Sequence, residues 1–184
     1  MSDLSRTDDS GGSPPEMVKV WDPFVRLFHW SVLALVLAAF ATGDEAEGAH
    51  IAIGYAIAIL LAFRIIWGFI GPRSARFSDF VKTPAQVRQF IGESLRGAAP
   101  RSLGHNPAGG FMILALLGLI GAISATGYFI TTEAPGSHAM KELHEAISYA
   151  LIPLAALHVG GVFWSSLAHR ENLVRAMITG MKQK

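Results

Sequence analysis

The sequence predicts an all-α integral membrane protein, a four-helix bundle with both termini in the cytoplasm. Three observations carry this. Hydrophobic residues make up 51% of the 184 and charged residues 16%, against about 25% charged in an average soluble domain. The apolar residues fall into four blocks, each near the roughly 20 residues that cross a bilayer. Basic residues crowd alternate connections, the asymmetry that orients membrane proteins.

Residues 1–17 are polar and acidic, with Asp3, Asp8, Asp9, Glu16, Gly11-Gly12 and Pro14-Pro15. They lack the basic start and apolar core of a signal peptide and read as a disordered tail. One membrane domain is expected over 18–184, with spans at about 27–42, 50–69, 111–130 and 146–167. Four such stretches in so short a chain argue against a soluble bundle. The second span carries Arg64, the third no charge, and the fourth His158. Asn106-Pro107 suits the start of the third, because proline fits the first helical turn. Pro84–Leu95 and Glu171–Met181 are expected as short amphipathic helices on the cytoplasmic surface. Trp21, Trp30, Trp67, Tyr128 and Trp164 sit near span ends, as interfacial anchors do. No internal repeat is visible.

Between the second and third spans lie Arg73, Arg76, Lys82, Arg88, Arg96 and Arg101; the two flanks add Lys19, Arg26, Arg170, Arg175, Lys182 and Lys184. The other two loops, 43–49 and 131–143, hold one basic residue, Lys141, beside Asp44, Glu45, Glu47, Glu133 and Glu142. The positive-inside rule therefore turns the acidic loops outward. Cysteine is absent, which excludes disulfides, thiolate iron–sulfur sites, covalent c-type haem and cysteine zinc sites. Nothing in the chain points to nucleic acid.

Ionisable residues inside a membrane are costly and usually functional. Four histidines fall within or at the ends of the spans: His29, His50, His144 and His158. By the orientation, His29 lies near the cytoplasmic side, and His50 and His144 near the outside. His158 follows His144 by fourteen residues, roughly 21 Å deeper at 1.5 Å per residue. Fourteen residues are two heptads, so both face the same way in a left-handed bundle. The result is two facing pairs, His29 with His158 and His50 with His144. Bis-imidazole ligation holds a haem iron with both axial positions filled, which suits electron transfer, and bundle interiors are where such cofactors sit. Gly54, Gly118, Gly121, Gly160 and Gly161 offer room beside the backbone, or simply close helix packing. Pro153, between the two histidines of span four, can kink that helix.

Arg64 lies fourteen residues after His50 and shares its face at the inner depth. A haem propionate or a quinone oxygen is one reading; an arginine reaching to the interface is the other. His105, at the mouth of span three, is a quinone-site candidate or an interfacial histidine. Glu145 orients His144 or is a first-turn acid favoured by the helix dipole. His138 and His169 fall in loops and receive no role.

Several segments together resemble the bacterial cytochrome b561 and nickel-hydrogenase b-type cytochrome family. They are Trp21-Asp22-Pro23 with Arg26, His29 and Trp30; His50 with Gly54-Tyr55; Arg64 with Trp67-Gly68; and Arg76-Phe77. Gly104-His105-Asn106-Pro107 with Gly109-Gly110, His144-Glu145, His158-Val159, Glu171-Asn172-Leu173 and Met177-Ile178-Thr179-Gly180 complete the set. The resemblance runs from about Val18 to Lys184. It implies a four-helix inner-membrane cytochrome with two b haems, a quinone as exchangeable substrate, and ligands at the four paired histidines. Members serve hydrogenases or soluble c-type cytochromes, or act alone as quinone-reducing superoxide oxidases.

The expected function is electron transfer between membrane quinone and a periplasmic redox protein, a c-type cytochrome or a hydrogenase-like subunit. The acidic outer loops would attract a basic partner and repel superoxide. A stand-alone superoxide:quinone oxidoreductase is the alternative, so whether the chain is itself an enzyme is open. A transition-metal transporter using histidine is a more distant reading. The quinone site is expected near the inner haem, with Arg64 and His105. A homodimer is compatible with the sequence.

Overall fold

In the computed structural model, residues 16–43, 45–132 and 135–184 are described. Four long helices cross-brace the molecule: α1 (Pro23–Thr42), α2 (Glu47–Ile70), α5 (Pro107–Thr131) and α6 (Ser137–Ala168). Their mean hydropathies run from 1.7 to 2.1. They are apolar all round, as membrane helices are. Leu27, Leu37, Phe63, Phe69, Leu157 and Leu167 all point outward and exposed, a lipid-facing surface rather than a water-facing one. The protein is a multi-pass four-helix membrane bundle.

Each helix start has a local cause. Asp22 caps α1, its Oδ1 accepting from the amides of Phe24 (3.0 Å) and Val25 (3.1 Å) with Pro23 in the first turn. Asn106 does the same for α5, accepting from Gly109 N at 2.6 Å ahead of Pro107. These caps supply acceptors for orphan amide groups. They also place the start of α1 four residues before the expected span at 27. The helix α2 starts at Glu47, and α6 starts at Ser137, nine residues before the expected 146. His138 and Glu142 therefore lie in α6 and not in a loop. Glu145 stands in the third turn, exposed, so the first-turn reading fails. Pro153 sits inside α6, which continues through it.

Packing runs α1 on α2, α2 on α5, and α5 on α6. The core between the helices is Val32, Ile57, Leu61, Ile120 and Leu151. The α1–α2 and α5–α6 connections share one end of the bundle, here the hairpin end.

The opposite, terminal end is built from everything else. The segment 71–106 folds over it as a short 3-10 turn (Arg73–Ala75), α3 (Phe77–Phe80) and α4 (Pro84–Leu95). The helix α4 takes the expected bounds, with a Thr83–Gln86 capping box that satisfies two amides reciprocally. Phe80, 1% exposed, is the anchor. It fits because residue 110 is glycine: a Cβ there would lie 2.4 Å from the Phe80 carbonyl oxygen. The C-terminal segment departs from expectation. Helix α7 covers only Leu173–Thr179, Gly180 turns the chain at φ +81, and Met181–Gln183 (β2) pairs antiparallel with Met17–Lys19 (β1). Residue 17, expected at the end of the tail, is thus in a strand; residues 1–15 lie outside the described part. Glu171 accepts from Arg101 and, at 3.0 Å, from the buried Lys182, which ties the middle segment to the C-terminus. Those two cations hold its carboxyl below the usual range despite partial burial. Trp21, expected as an interfacial anchor, is buried with Val20 and Ala176.

Candidate functional site

The histidines lie in two facing sets. His29 of α1 faces His158 of α6 with ring centres 6.4 Å apart, near the terminal end. His50 of α2 faces His144 of α6 at 6.1 Å, near the hairpin end. Two imidazoles bonded to one metal from opposite sides, each bond roughly 2 Å, have centres about 6 Å apart once the ring radius is added. Both pairs therefore have the separation a shared metal requires. Helix α6 packs closely on α5 and not on α1 or α2.

Heptad geometry places the rings. On α2 the series His50, Ile57, Arg64 advances by sevens along one inward face; on α6 the series is His144, Leu151, His158. Ile57 and Leu151 are core residues, so a dry apolar layer separates the two pairs.

The hairpin-end pair is oriented by backbone. His50 Nδ1 lies 3.0 Å from the Ala39 carbonyl oxygen. His144 Nδ1 lies 3.0 Å from the Ile123 carbonyl oxygen and 3.0 Å from Thr126 Oγ1. A carbonyl only accepts, so Nδ1 carries the proton and Nε2 keeps the lone pair that can bind a metal. A cavity of about 380 Å³ opens beside this pair, walled by Gly54, Tyr55, Tyr128 and Leu151 among others. At Gly127 a Cβ would come 3.1 Å from His144 Cε1, so glycine makes space for the ring. Gly54, Gly118, Gly160 and Gly161 also face open space, whereas Gly121 packs near Leu61.

The terminal-end pair is different. His29 Nδ1 is buried with no acceptor. Arg64 is 3% exposed, its Nη1 buried and unpartnered, its guanidinium 5.3 Å from the Phe77 ring centre. Such burial removes the reading of an arginine reaching to the interface. His105 is not an exposed interfacial residue either: its ring sits 4.4 Å from Trp21 and 4.8 Å from Phe80. Burial, and then the fields of Arg64 and Lys182, lower its pKa to about 3. Among the described residues, all four buried side-chain polar atoms without a partner lie here: Asp22 Oδ2, Arg26 Nε, His29 Nδ1 and Arg64 Nη1. An enclosed polar group is normally satisfied, and three of the four are nitrogens of arginine and histidine, so this end fits a polar, anion-bearing group such as a haem with its carboxylates.

Several contributors carried no signal as site residues. The acceptors Ala39 and Ile123 act through backbone, which any residue supplies. Asp22 carried a helix-cap signal, but its reception of the Trp67 indole N–H at 3.2 Å joins residues 45 apart in sequence. Asp44 and Glu133 lie outside the described residues; Glu45, Glu47 and Glu142 are exposed at the hairpin end.

Among the described residues, no three His, Cys, Asp or Glu side chains cluster as a metal site. Each pair offers two donors, which suits a metal already held in a macrocycle.

The family model described as prokaryotic cytochrome b561 matches residues 20–180. A probable Ni/Fe-hydrogenase B-type cytochrome subunit of Rhizobium leguminosarum bv. viciae is 21% identical, over 90% of this chain and 88% of its own length. No solved structure matches the chain. Paired intramembrane imidazoles, four spans and a family match over nearly the whole domain converge: the chain belongs to the prokaryotic cytochrome b561 family and is a membrane b-type cytochrome of electron transfer.

Proposed function

We propose that the protein is a di-haem cytochrome of the bacterial inner membrane, with both termini cytoplasmic, that passes electrons between membrane quinone and a periplasmic redox protein. His29 and His158 ligate one haem b, and His50 and His144 the other. The observation that carries this is the presence of two facing imidazole pairs, 6.4 and 6.1 Å between centres, at two depths of one bundle. When bound, each haem would supply a one-electron couple.

The chain's own residues do the rest. Ala39 and Ile123 hold the hairpin-end rings in the ligating tautomer. Val32, Ile57, Leu61, Ile120 and Leu151 keep the layer between the sites dry. Arg64 gives the terminal-end site a cation for a propionate or a quinone oxygen. Quinone is placed at this end, beside Arg64 and His105. With a pKa of about 3, His105 is a neutral hydrogen-bonding group at physiological pH and not a proton donor.

The exposed Glu45, Glu47 and Glu142 favour a basic partner at the hairpin end by electrostatic attraction. A c-type cytochrome fits this, and the Rhizobium relative's name adds a hydrogenase-like subunit. The same charge repels superoxide and disfavours stand-alone superoxide oxidation. Two-donor sites separated by an apolar layer disfavour a transition-metal path.

A reduced-minus-oxidised visible spectrum with pyridine haemochrome quantitation tests the reading. Two haem b per chain are expected; one or none overturns it.

A further inference from the structure

We infer that the terminal-end site is the higher-potential site of the two and that Arg64 makes it so, which directs electrons from the hairpin end toward the terminal end. This rests on the assignment of a haem to each histidine pair.

A ferric haem carries one more positive charge than a ferrous one. A fixed cation beside it disfavours the ferric form and raises the reduction potential, and a low-dielectric interior strengthens the effect. Arg64 is such a cation: it stands on α2 at the depth of the terminal-end pair, and its field and that of His158 both reach His105. The arginine shares the inward α2 face with His50 and Ile57, is 3% exposed and forms no salt bridge among the described residues. Asp22 is the carboxylate whose field reaches it, without an ion pair to the guanidinium, and Arg26, its Nε also buried without a partner, adds a second cation at this end. Phe77, over the guanidinium, is neutral. The cavity beside the hairpin-end pair is lined by no Lys or Arg.

A second, independent difference acts in the same direction. A ligating imidazole whose Nδ1–H is bonded to a carbonyl is a stronger donor and favours the ferric state. His50 and His144 both have that bond at 3.0 Å, whereas His29 Nδ1 has no acceptor. The hairpin-end site is lowered by its hydrogen bonds and the terminal-end site is raised by its charge. A reductant at the hairpin end then delivers electrons downhill to a quinone at the terminal end.

Potentiometric titration of the purified holoprotein, followed at the haem alpha band, tests this. Wild type should titrate as two one-electron components at least tenfold apart in reduction equilibrium, about 59 mV. Arg64→Gln should lower the higher component by at least tenfold and leave the other in place. Arg64→Lys, which keeps the charge, should restore most of the shift. Thr126→Val, which removes one Nδ1 partner of His144, should raise only the lower component. Indistinguishable wild-type components overturn the inference. So does an unmoved higher component in Arg64→Gln. A shift by Thr126→Val of the higher component reverses the order and also overturns it. Should Arg64→Gln fail to bind haem, the wild-type separation and Thr126→Val still decide. One haem or none in wild type defeats the di-haem reading itself, and the potential order with it.

Discussion

The two histidine pairs set the same side chains at nearly the same separation, yet the protein surrounds them by different means. At the hairpin end the environment is local: carbonyls of α1 and α5 hold the rings, and an apolar cavity opens beside them. At the terminal end it is assembled from afar. Arg64 comes from α2, Phe77 and Phe80 from the middle segment, and Trp21 from the N-terminal flank; His105 stacks on the last two. Helix periodicity suffices to bring the imidazoles together, whereas enclosing the buried charge at the terminal end also takes chain outside the four long helices. A membrane helix offers a backbone carbonyl only where a neighbouring ring reaches it. Buried charge needs an enclosing cap to keep water and lipid out.

The largest test of that contrast is removal of one pair at a time. His144→Ala and His158→Ala should each reduce haem content from two per chain to one, read by pyridine haemochrome. Loss of both haems from either variant would show one cooperative unit and dissolve the comparison. Glycine substitutions separate the ends next. Gly127→Val should push His144 aside and impair the hairpin-end site alone, since even a Cβ lies 3.1 Å from that ring. Gly110→Val should instead lift Phe80 from its seat and cost about 1–3 kcal/mol of stability, the usual range for overpacking. A lower Tm with an unchanged hairpin-end spectrum is the expected result.

Acid should loosen the terminal end first. His105 is neutral down to about pH 3 in the folded chain against an ordinary 6.5. The unfolded chain therefore takes up that proton first, and stability falls as pH drops from 6.5 toward 3. Glu171, held below its ordinary 4.5 by Lys182 and Arg101, adds a loss that begins below that value. Hydrogen exchange should show the β1–β2 amides losing protection over this range while the hairpin-end helices keep theirs. The smallest effect concerns the partner. Glu45→Gln, Glu47→Gln and Glu142→Gln combined should slow electron exchange with a basic c-type cytochrome several-fold at low salt, and less as screening grows. No change at low salt would remove the support for a basic partner.

Much of the fold and of the candidate site is legible in the amino-acid order. Periods of seven and fourteen residues place His50, Arg64, His144 and His158 on inward faces, because a helix in a bundle presents every seventh residue to the same neighbour. Asn106-Pro107 marks the start of α5 within a residue. Other signals are present but outweighed by hydropathy. Asp22-Pro23 is as clear a cap as Asn106-Pro107, yet hydropathy puts the start of the first span at 27, because it registers where apolar residues begin and not where the helix does. For the same reason it puts the start of α6 nine residues late: the first turns of α6 are polar, and they are helical because α5 runs antiparallel beside them. Trp21 reads as an anchor by position alone and becomes core once β1 and α7 close over it.

A four-span membrane bundle and which histidines face which are legible in the chain itself, since they follow from hydrophobic length, charge asymmetry and helical period, and the family is legible in the ordered set of short motifs. What surrounds each pair is set by contacts between distant segments. The Nδ1 acceptors are backbone atoms with no residue signature, and the burial of Arg64 depends on Phe77 and on the cap that Phe80, Trp21 and the β1–β2 ribbon complete. Those contacts join segments separated by up to the whole domain, and no local pattern in the chain records them.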